Sequence, residues 1–347
     1  MYQKTGFDKR SIEELACGIN SIKFPPCTST WFELDAGELT TGYLNLSIDG
    51  GRGAVIKVLS SECYEDYKEG SYSKKIRDDS TGVLRGDYDI IEPAGKNINY
   101  ETFWFRTFRF IRVEISTGSE ELILKGIHYN ETGYPLEIKG TYQSSDPTHS
   151  KLWDISIRTL KRCMHETYED CPYYEQLQYA MDSRLQMLFT YQLSNDDRLA
   201  RKCIEDFHSS LTSDGLLQAR YPSVARQIIP GFCLHFVYML EDPLSQRSEC
   251  HAWGALPLYE FPAMILGVKP GDYGYIKISI KPNIGKLKYA KGDVMTPKGM
   301  VSVDWRVEGS EFKINILAPG EVEKIVTMPD GSVYTTKESE ISLSCKF

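Results

Sequence analysis

No apolar run in this sequence is long enough to span a bilayer, and Met1-Tyr2-Gln3-Lys4 leads into polar residues rather than an apolar leader core. Membrane-crossing helices and a secretion signal are therefore not expected, and the expected compartment is the cytoplasm. There is no basic surplus: 40 Lys and Arg stand against 48 Asp and Glu, a net charge of −8. Nucleic-acid binding, which draws on excess positive charge to track phosphates, is accordingly not expected. The nine cysteines are odd in number and irregularly spaced, so they read as free thiols in a reducing compartment. Cys250-His251 has no second matching pair, which argues against zinc, and the sequence calls for no other metal or cofactor. Gly50-Gly51-Arg52-Gly53 precedes a strand rather than a helix, so it is a turn and not a phosphate loop. Internal repeats and low-complexity tracts are absent too. What remains is an ordinary globular composition, 41% hydrophobic and 25% charged, in 347 residues. That is enough for two or three domains and a substantial core.

The first 140 residues read as β. Trp31–Asp35, Thr41–Ile48 and Ala54–Leu59 are short apolar or alternating runs separated by Gly and Asp turns, the pattern of a sandwich. Phe103–Ile115 is the clearest strand. Its aromatic residues fit a sandwich core better than a sugar platform, because aromatics so often fill strands. From about Ser144 the period changes to that of helices. Asp146-Pro147 starts the first, Gln178–Gln192 and Asp196–Ser210 follow, Gln227–Leu240 is a fourth, and His251–Leu266 is the last. After Gly267 the chain returns to β as far as Phe347. The domains expected are a β-sandwich over 1–143, a helical domain over 144–268 and a C-terminal β-sandwich over 269–347.

The stretch richest in chemistry is Glu166–Asp182, ETYEDCPYYEQLQYAMD, with five carboxylates and four tyrosines around one proline. If Pro172 opens a helix, as its fixed φ and missing N–H suit it to do, Glu175 and Asp182 share one face two turns apart. Asp170 then sits just before that helix, and Tyr173, Tyr174 and Tyr179 offer flat hydrogen-bonding surface suited to a sugar. Acidic residues ahead of a helix also complement its dipole without any chemistry, and that reading suffices for Asp170-Cys171-Pro172 alone.

The complete pattern resembles the catalytic signature of the bacterial α-L-rhamnosidases of the inverting (α/α)6-barrel family: Asp-Cys-Pro, two residues, Glu-Gln-x-Gln-Tyr, and an acid twelve positions after the first. Asp170, Cys171, Pro172, Glu175, Gln176, Gln178, Tyr179 and Asp182 fill it. Tyr174 stands where an Arg is usual and Met181 where a Gly is usual. Glu241-Asp242-Pro243 followed by Arg247–Pro257 is similar to the family segment carrying the general base. Ile265–Gly271, then Pro297-Lys298-Gly299 and Val301–Trp305, resemble the start of its C-terminal β-domain.

That resemblance implies release of terminal L-rhamnose from rhamnose-containing glycosides or oligosaccharides with inversion, without metal or cofactor. Inversion needs one carboxylic acid for the leaving oxygen and one carboxylate for water, roughly 6.5–9.5 Å apart. The resemblance makes Glu175 the acid and Glu241 the base, with Asp170, Asp182 and Tyr179 on the sugar. His251 and Trp253 fit either the rhamnose pocket or a packed core. Burial and neighbouring carboxylates would keep Glu175 protonated. Twelve helices at about 11–12 residues, with connections of about 4–6, need roughly 190 residues. Ser144–Leu266 offers about 120, enough for five or six helices. The expected barrel is therefore partial, with a deletion seam near 240–241. Two chains covering each other's open half-barrel would restore the missing wall; otherwise the chain is a non-catalytic remnant that at most binds carbohydrate.

Overall fold

The computed structural model describes residues 9–68, 70–76, 78–229 and 250–346. They form two compact units: the described residues of Met1–Gly133 together with Pro172–Tyr174, and the described residues of the remainder. No helix among them is long and apolar enough to cross a membrane.

The first unit begins with a helix absent from the sequence reading, α1 (Lys9–Ala16), whose Ile12 and Leu15 are fully buried. Its strands are β1 (Ile22–Phe24), β2 (Ser29–Gly50), β3 (Val55–Ser61), β4 (Tyr64–Lys68), β5 (Ser71–Lys74), β6 (Val83–Leu84), β7 (Tyr88–Ile91), β8 (Ile98–Glu101), β9 (Arg106–Ser116) and β10 (Leu122–Glu131). The first two expected strands are one long strand, β2, which changes partners along its length. Ser29–Asp35 pairs with β9, whereas Gly42–Gly50 pairs with β10 and Asn45–Ile48 with β8. The β9 pairing is interrupted between Asp35 and Thr40 and resumes over Thr40–Gly42; within the interruption Gly37 takes φ +87° and donates its N–H to Asp35 Oδ1 at 2.7 Å. A residue with a Cβ disfavours that backbone. Both halves feed one core, with Phe32, Ile56 and Val113 from one side and Leu46, Leu122 and Leu124 from the other. That is sandwich character built from a continuous sheet. Aromatics of β9 do fill core: Phe108 joins this cluster, and Phe110 joins a smaller one with Leu59, Tyr64 and Leu84. Phe103 and Trp104 lie before the strand and are exposed, which corrects its expected start by three residues.

The second unit holds β11 (Thr141–Ser144), α2 (Pro147–Arg162), α3 (Ala180–Leu193), α4 (Arg198–Ser209), α5 (Pro257–Glu260), β12 (Val268–Pro270), β13 (Lys277–Ile280), β14 (Tyr289–Thr296), β15 (Gly299–Glu308), β16 (Glu311–Leu317), β17 (Glu323–Thr327), β18 (Val333–Thr336) and β19 (Glu340–Lys346). Helix α2 starts as the sequence indicates. The Asp146 side chain accepts from Thr148 N–H, Pro147 occupies the first turn, and Lys161 and Arg162 close the last, all favourable to a helix. The C-terminal strands make two sheets, β11-β14-β15-β16-β19 and β12-β13-β17-β18. Trp305, Ile314 and Val303 of the first sheet share one core with Ile278 and Val326 of the second, and with Trp153, Leu160 and Phe189 of the helices.

Two expected helices differ. His251–Leu266 is broken into a 3-10 turn at Ala252–Ala255, α5, and a π turn at Phe261–Ile265. Pro257 and Pro262 lack the N–H that a continuous ladder requires. Of the expected helix Gln227–Leu240, residues 227–229 are irregular, and the rest lies outside the described residues together with the seam near 240–241.

Gly267 marks the return to β. It takes φ +82°, and a Cβ there would collide with the Lys281 carbonyl and Pro282 nitrogen. The left-handed backbone alone costs a Cβ-bearing residue about 1–2 kcal/mol, and this neighbour is backbone that cannot rotate away. Gly267→Ala is therefore expected to reduce the unfolding free energy of the second unit, read from urea denaturation, by more than that cost, whereas Gly309→Ala, with φ +64° and open space around it, should show the backbone cost alone. Equal effects would remove the collision from the account.

Candidate active site

The segment from Asp170 to Leu177 is a closed loop and not a helical turn. Asp170 N–H donates to the Leu177 carbonyl at 3.0 Å, and Leu177 N–H returns to Asp170 Oδ1 at 3.1 Å. Gln176 has φ +51°, a left-handed residue that no right-handed helix accommodates. Pro172 accordingly does not open a helix; α3 starts at Ala180, eight residues later. The idea that Glu175 and Asp182 lie two turns apart on one helix is corrected, yet the loop still brings their charges together.

Its effect is to fold the carboxylates inward. Asp170 and Asp182 are buried at 3% and 2% exposure. Asp170 is hydrogen-bonded to Glu175, and Cys171 Sγ donates to Glu175 Oε2 at 3.2 Å. Burial first, then the bond to Glu175, pushes the Asp170 carboxyl up to about 7, against the pull of Cys171 and the Leu177 N–H. The Asp182 carboxyl is raised by burial, with His251 pulling it down and Glu175 adding to the rise. Asp182 Oδ1 receives His251 Nε2 at 3.1 Å and the Trp253 indole N–H. The two rings meet edge to face, centroids 5.0 Å apart. His251 and Trp253 are thus partly buried and held on a carboxylate, not lost in an apolar core.

Tyr179 precedes α3 and receives Arg220 at 3.5 Å on its hydroxyl. Glu175 and Asp170 both act on it electrostatically and help raise its hydroxyl's pKa, after burial. Other members of the run have separate fates. Glu166 is exposed, and Glu169 is buried against His165 at 3.1 Å. Tyr173 and Tyr174 belong to the first unit, where the Tyr173 hydroxyl donates to the Ser60 carbonyl at 3.3 Å and Lys74 lies over the Tyr174 ring. Among the three tyrosines expected at the site, Tyr179 is therefore the one in the unit that holds the carboxylates. Glu241 lies outside the described residues. Cys171 and Arg220 were missed as site residues. Cys171 sits inside the motif and could have been suspected; Arg220 gave no signal, 41 positions from the tyrosine it meets.

Because Asp170 keeps its proton from its ordinary 3.8 up to about 7 in the fold, folding takes up a proton between those values. Stability from this group is complete below the lower value and lost as pH rises through the upper one. The melting temperature is expected to fall from pH 4 to pH 8 more steeply for the unmodified chain than for Asp170→Asn, whose amide does not titrate. Parallel profiles would show that Asp170 does not carry the proton.

The bacterial α-L-rhamnosidase six-hairpin glycosidase domain matches residues 137–255, and the bacterial α-L-rhamnosidase C-terminal domain matches 267–342. The chain belongs to the bacterial α-L-rhamnosidases. An α-L-rhamnosidase of Alteromonas sp. (strain LOR) is 33% identical over 87 residues, 24% of this chain and 9% of that protein. Among solved structures, the GH78 family rhamnosidase of Bacillus sp. GL1 aligns with a TM-score of 0.68 at 16% identity, over 93% of this chain and 56% of the other. The Streptomyces avermitilis α-L-rhamnosidase, solved with L-rhamnose, aligns at 0.63 and 13%, over 94% and 53%. These likenesses establish a shared fold. This rhamnosidase-family chain spans little more than half of either solved relative.

Proposed function

We propose that this chain is a glycoside hydrolase that releases terminal L-rhamnose with inversion, with Glu175 as the general acid. Asp170, Asp182, Tyr179, His251 and Trp253 would grip the sugar, and Glu241 would serve as the base. The observation that carries this reading is the hydrogen bond between Glu175 and the buried Asp170 carboxyl, which keeps its own proton up to about 7 and so places a proton source beside Glu175 near neutrality. Buried Asp182 supports it, since one carboxylate fixes an imidazole and an indole on the same side. The relative solved with L-rhamnose supports the choice of sugar. In this reading 1–143 is the β-sandwich domain, 144–268 is part of an (α/α)6 toroid, 269–347 is the C-terminal β-domain, and a second copy covers the open side.

A second reading, sugar binding without turnover, draws on the 53–56% of the solved relatives that the chain spans. A catalytic pocket needs supporting walls as well as its acid. Hydrolysis of p-nitrophenyl α-L-rhamnopyranoside, followed by proton NMR of the first-formed sugar, separates the outcomes. β-L-Rhamnose supports inversion; α-L-rhamnose refutes it. Calorimetric rhamnose binding without any release selects the second reading. A monomeric mass in light scattering from an active sample removes the paired barrel.

A further inference from the structure

We propose that Asp170, Cys171, Glu175 and His251 form a binding site for a thiophilic divalent cation such as Zn2+. Spacing along the chain hides this site, because three donors lie in one loop and the fourth is 80 positions away; the fold unites them. Ligand atoms of Asp170, Cys171 and His251 all lie within 4.8 Å of one another, and the first two residues are buried. Glu175 Oε2, 3.2 Å from Cys171 Sγ, supplies a fourth donor. Bonds of about 2.0–2.3 Å to a tetrahedral zinc put neighbouring ligand atoms roughly 3.3–3.8 Å apart, so small side-chain rotations close the set. One sulfur, one nitrogen and two carboxylate oxygens match zinc better than magnesium or calcium, which take oxygen alone.

An independent observation concerns the imidazole. His251 Nε2 rests on Asp182 Oδ1 at 3.1 Å, and Asp182 is 2% exposed. A ligating histidine commonly donates its second ring N–H to such a carboxylate, which fixes the tautomer and turns the other nitrogen to the metal. In this site Nδ1 is the ligand and Nε2–H stays on Asp182. On binding, the Cys171 thiol proton and the Asp170 carboxyl proton leave to solvent, and the cation takes their place. Affinity therefore rises with pH.

The inference does not rest on the glycosidase reading, and its main test does not use activity. Titration of the full chain with Co2+ is expected to saturate at one ion per chain and to produce a near-ultraviolet thiolate-to-cobalt charge-transfer band. Cys171→Ser should abolish the band, and Asp182→Asn should weaken affinity roughly 10- to 100-fold. No thiolate band from the unmodified chain, or a band that survives in folded Cys171→Ser, overturns the site. Should Cys171→Ser not fold, X-ray absorption of the zinc-loaded unmodified chain decides. One sulfur at about 2.3 Å with N/O neighbours at about 2.0–2.1 Å supports the site, and an N/O-only shell overturns it. Where the chain does turn over a rhamnoside, saturating Zn2+ should suppress it and a chelator restore it, because Glu175 cannot ligate and protonate together. A chain that binds cobalt through Cys171 yet hydrolyses nothing sinks the glycosidase reading and leaves the metal site standing.

Discussion

Replacing Glu175 by Gln is expected to cut hydrolysis of an alkyl α-L-rhamnoside by roughly 10²- to 10⁴-fold, the usual contribution of a positioned general acid. The same change should cost much less on the p-nitrophenyl glycoside. An alkoxide is a poor leaving group and must be protonated as the bond breaks, whereas p-nitrophenolate departs with little help. The difference between the two substrates is thus the signature of an acid, and a loss of rate on one substrate alone is not. Geometry motivates the choice of residue. Glu175 touches Asp170 and Cys171 and acts on both Asp182 and Tyr179, so it is the carboxyl common to the whole cluster. Gln retains the size and one oxygen for Cys171 while losing the transferable proton. Equal losses on both substrates would give Glu175 a binding or water-activating role and move the acid elsewhere.

Much of this arrangement was legible in the sequence where the signal is local. Asp146-Pro147 announces α2 because a cap and a fixed φ act within one turn. Alternation in Val301, Val303 and Trp305 announces β15, whose inward residues are those three. The run 166–182 exposed its acids because their clustering is itself improbable. The shape of that run was not legible: Pro172 suits a helix start, and only tertiary context settles it. Pro172 gives its carbonyl to Thr107 Oγ1 at 2.5 Å within the first unit, and Gln176 turns left-handed. Nor could spacing reveal that Asp182 would meet Trp253, 71 positions on. Long-range pairings leave no period in the chain, so His251 and Trp253 could not be told from core residues by pattern.

The second large effect concerns how that distant segment is held. Trp305→Ala is expected to destabilise the second unit by about 3–5 kcal/mol, the range for truncating a buried aromatic. Trp305 is fully buried and packs against Phe312, centroids 5.8 Å apart. Its indole N–H also donates to the Ile265 carbonyl at 3.0 Å, at the end of the π turn. Ile265 closes the irregular stretch that begins beside His251 and Trp253, and Pro257 and Pro262 deprive that stretch of a full helical ladder. The Ile265 carbonyl lies at the C-terminal end of that stretch, where a helix leaves its carbonyls without an intrahelical donor, and the indole N–H supplies one. Trp305→Phe tests this separately: it keeps much of the apolar contact and leaves the Ile265 carbonyl unpaired, a loss of about 1–3 kcal/mol. Hydrogen exchange resolves the two effects by location. Trp305→Ala should speed exchange throughout β14, β15 and β16, whereas Trp305→Phe should speed it mainly in peptides covering 252–266. A uniform response to both variants would show that Trp305 acts through packing alone and that the His251–Trp253 segment is secured by its own bonds to Asp182.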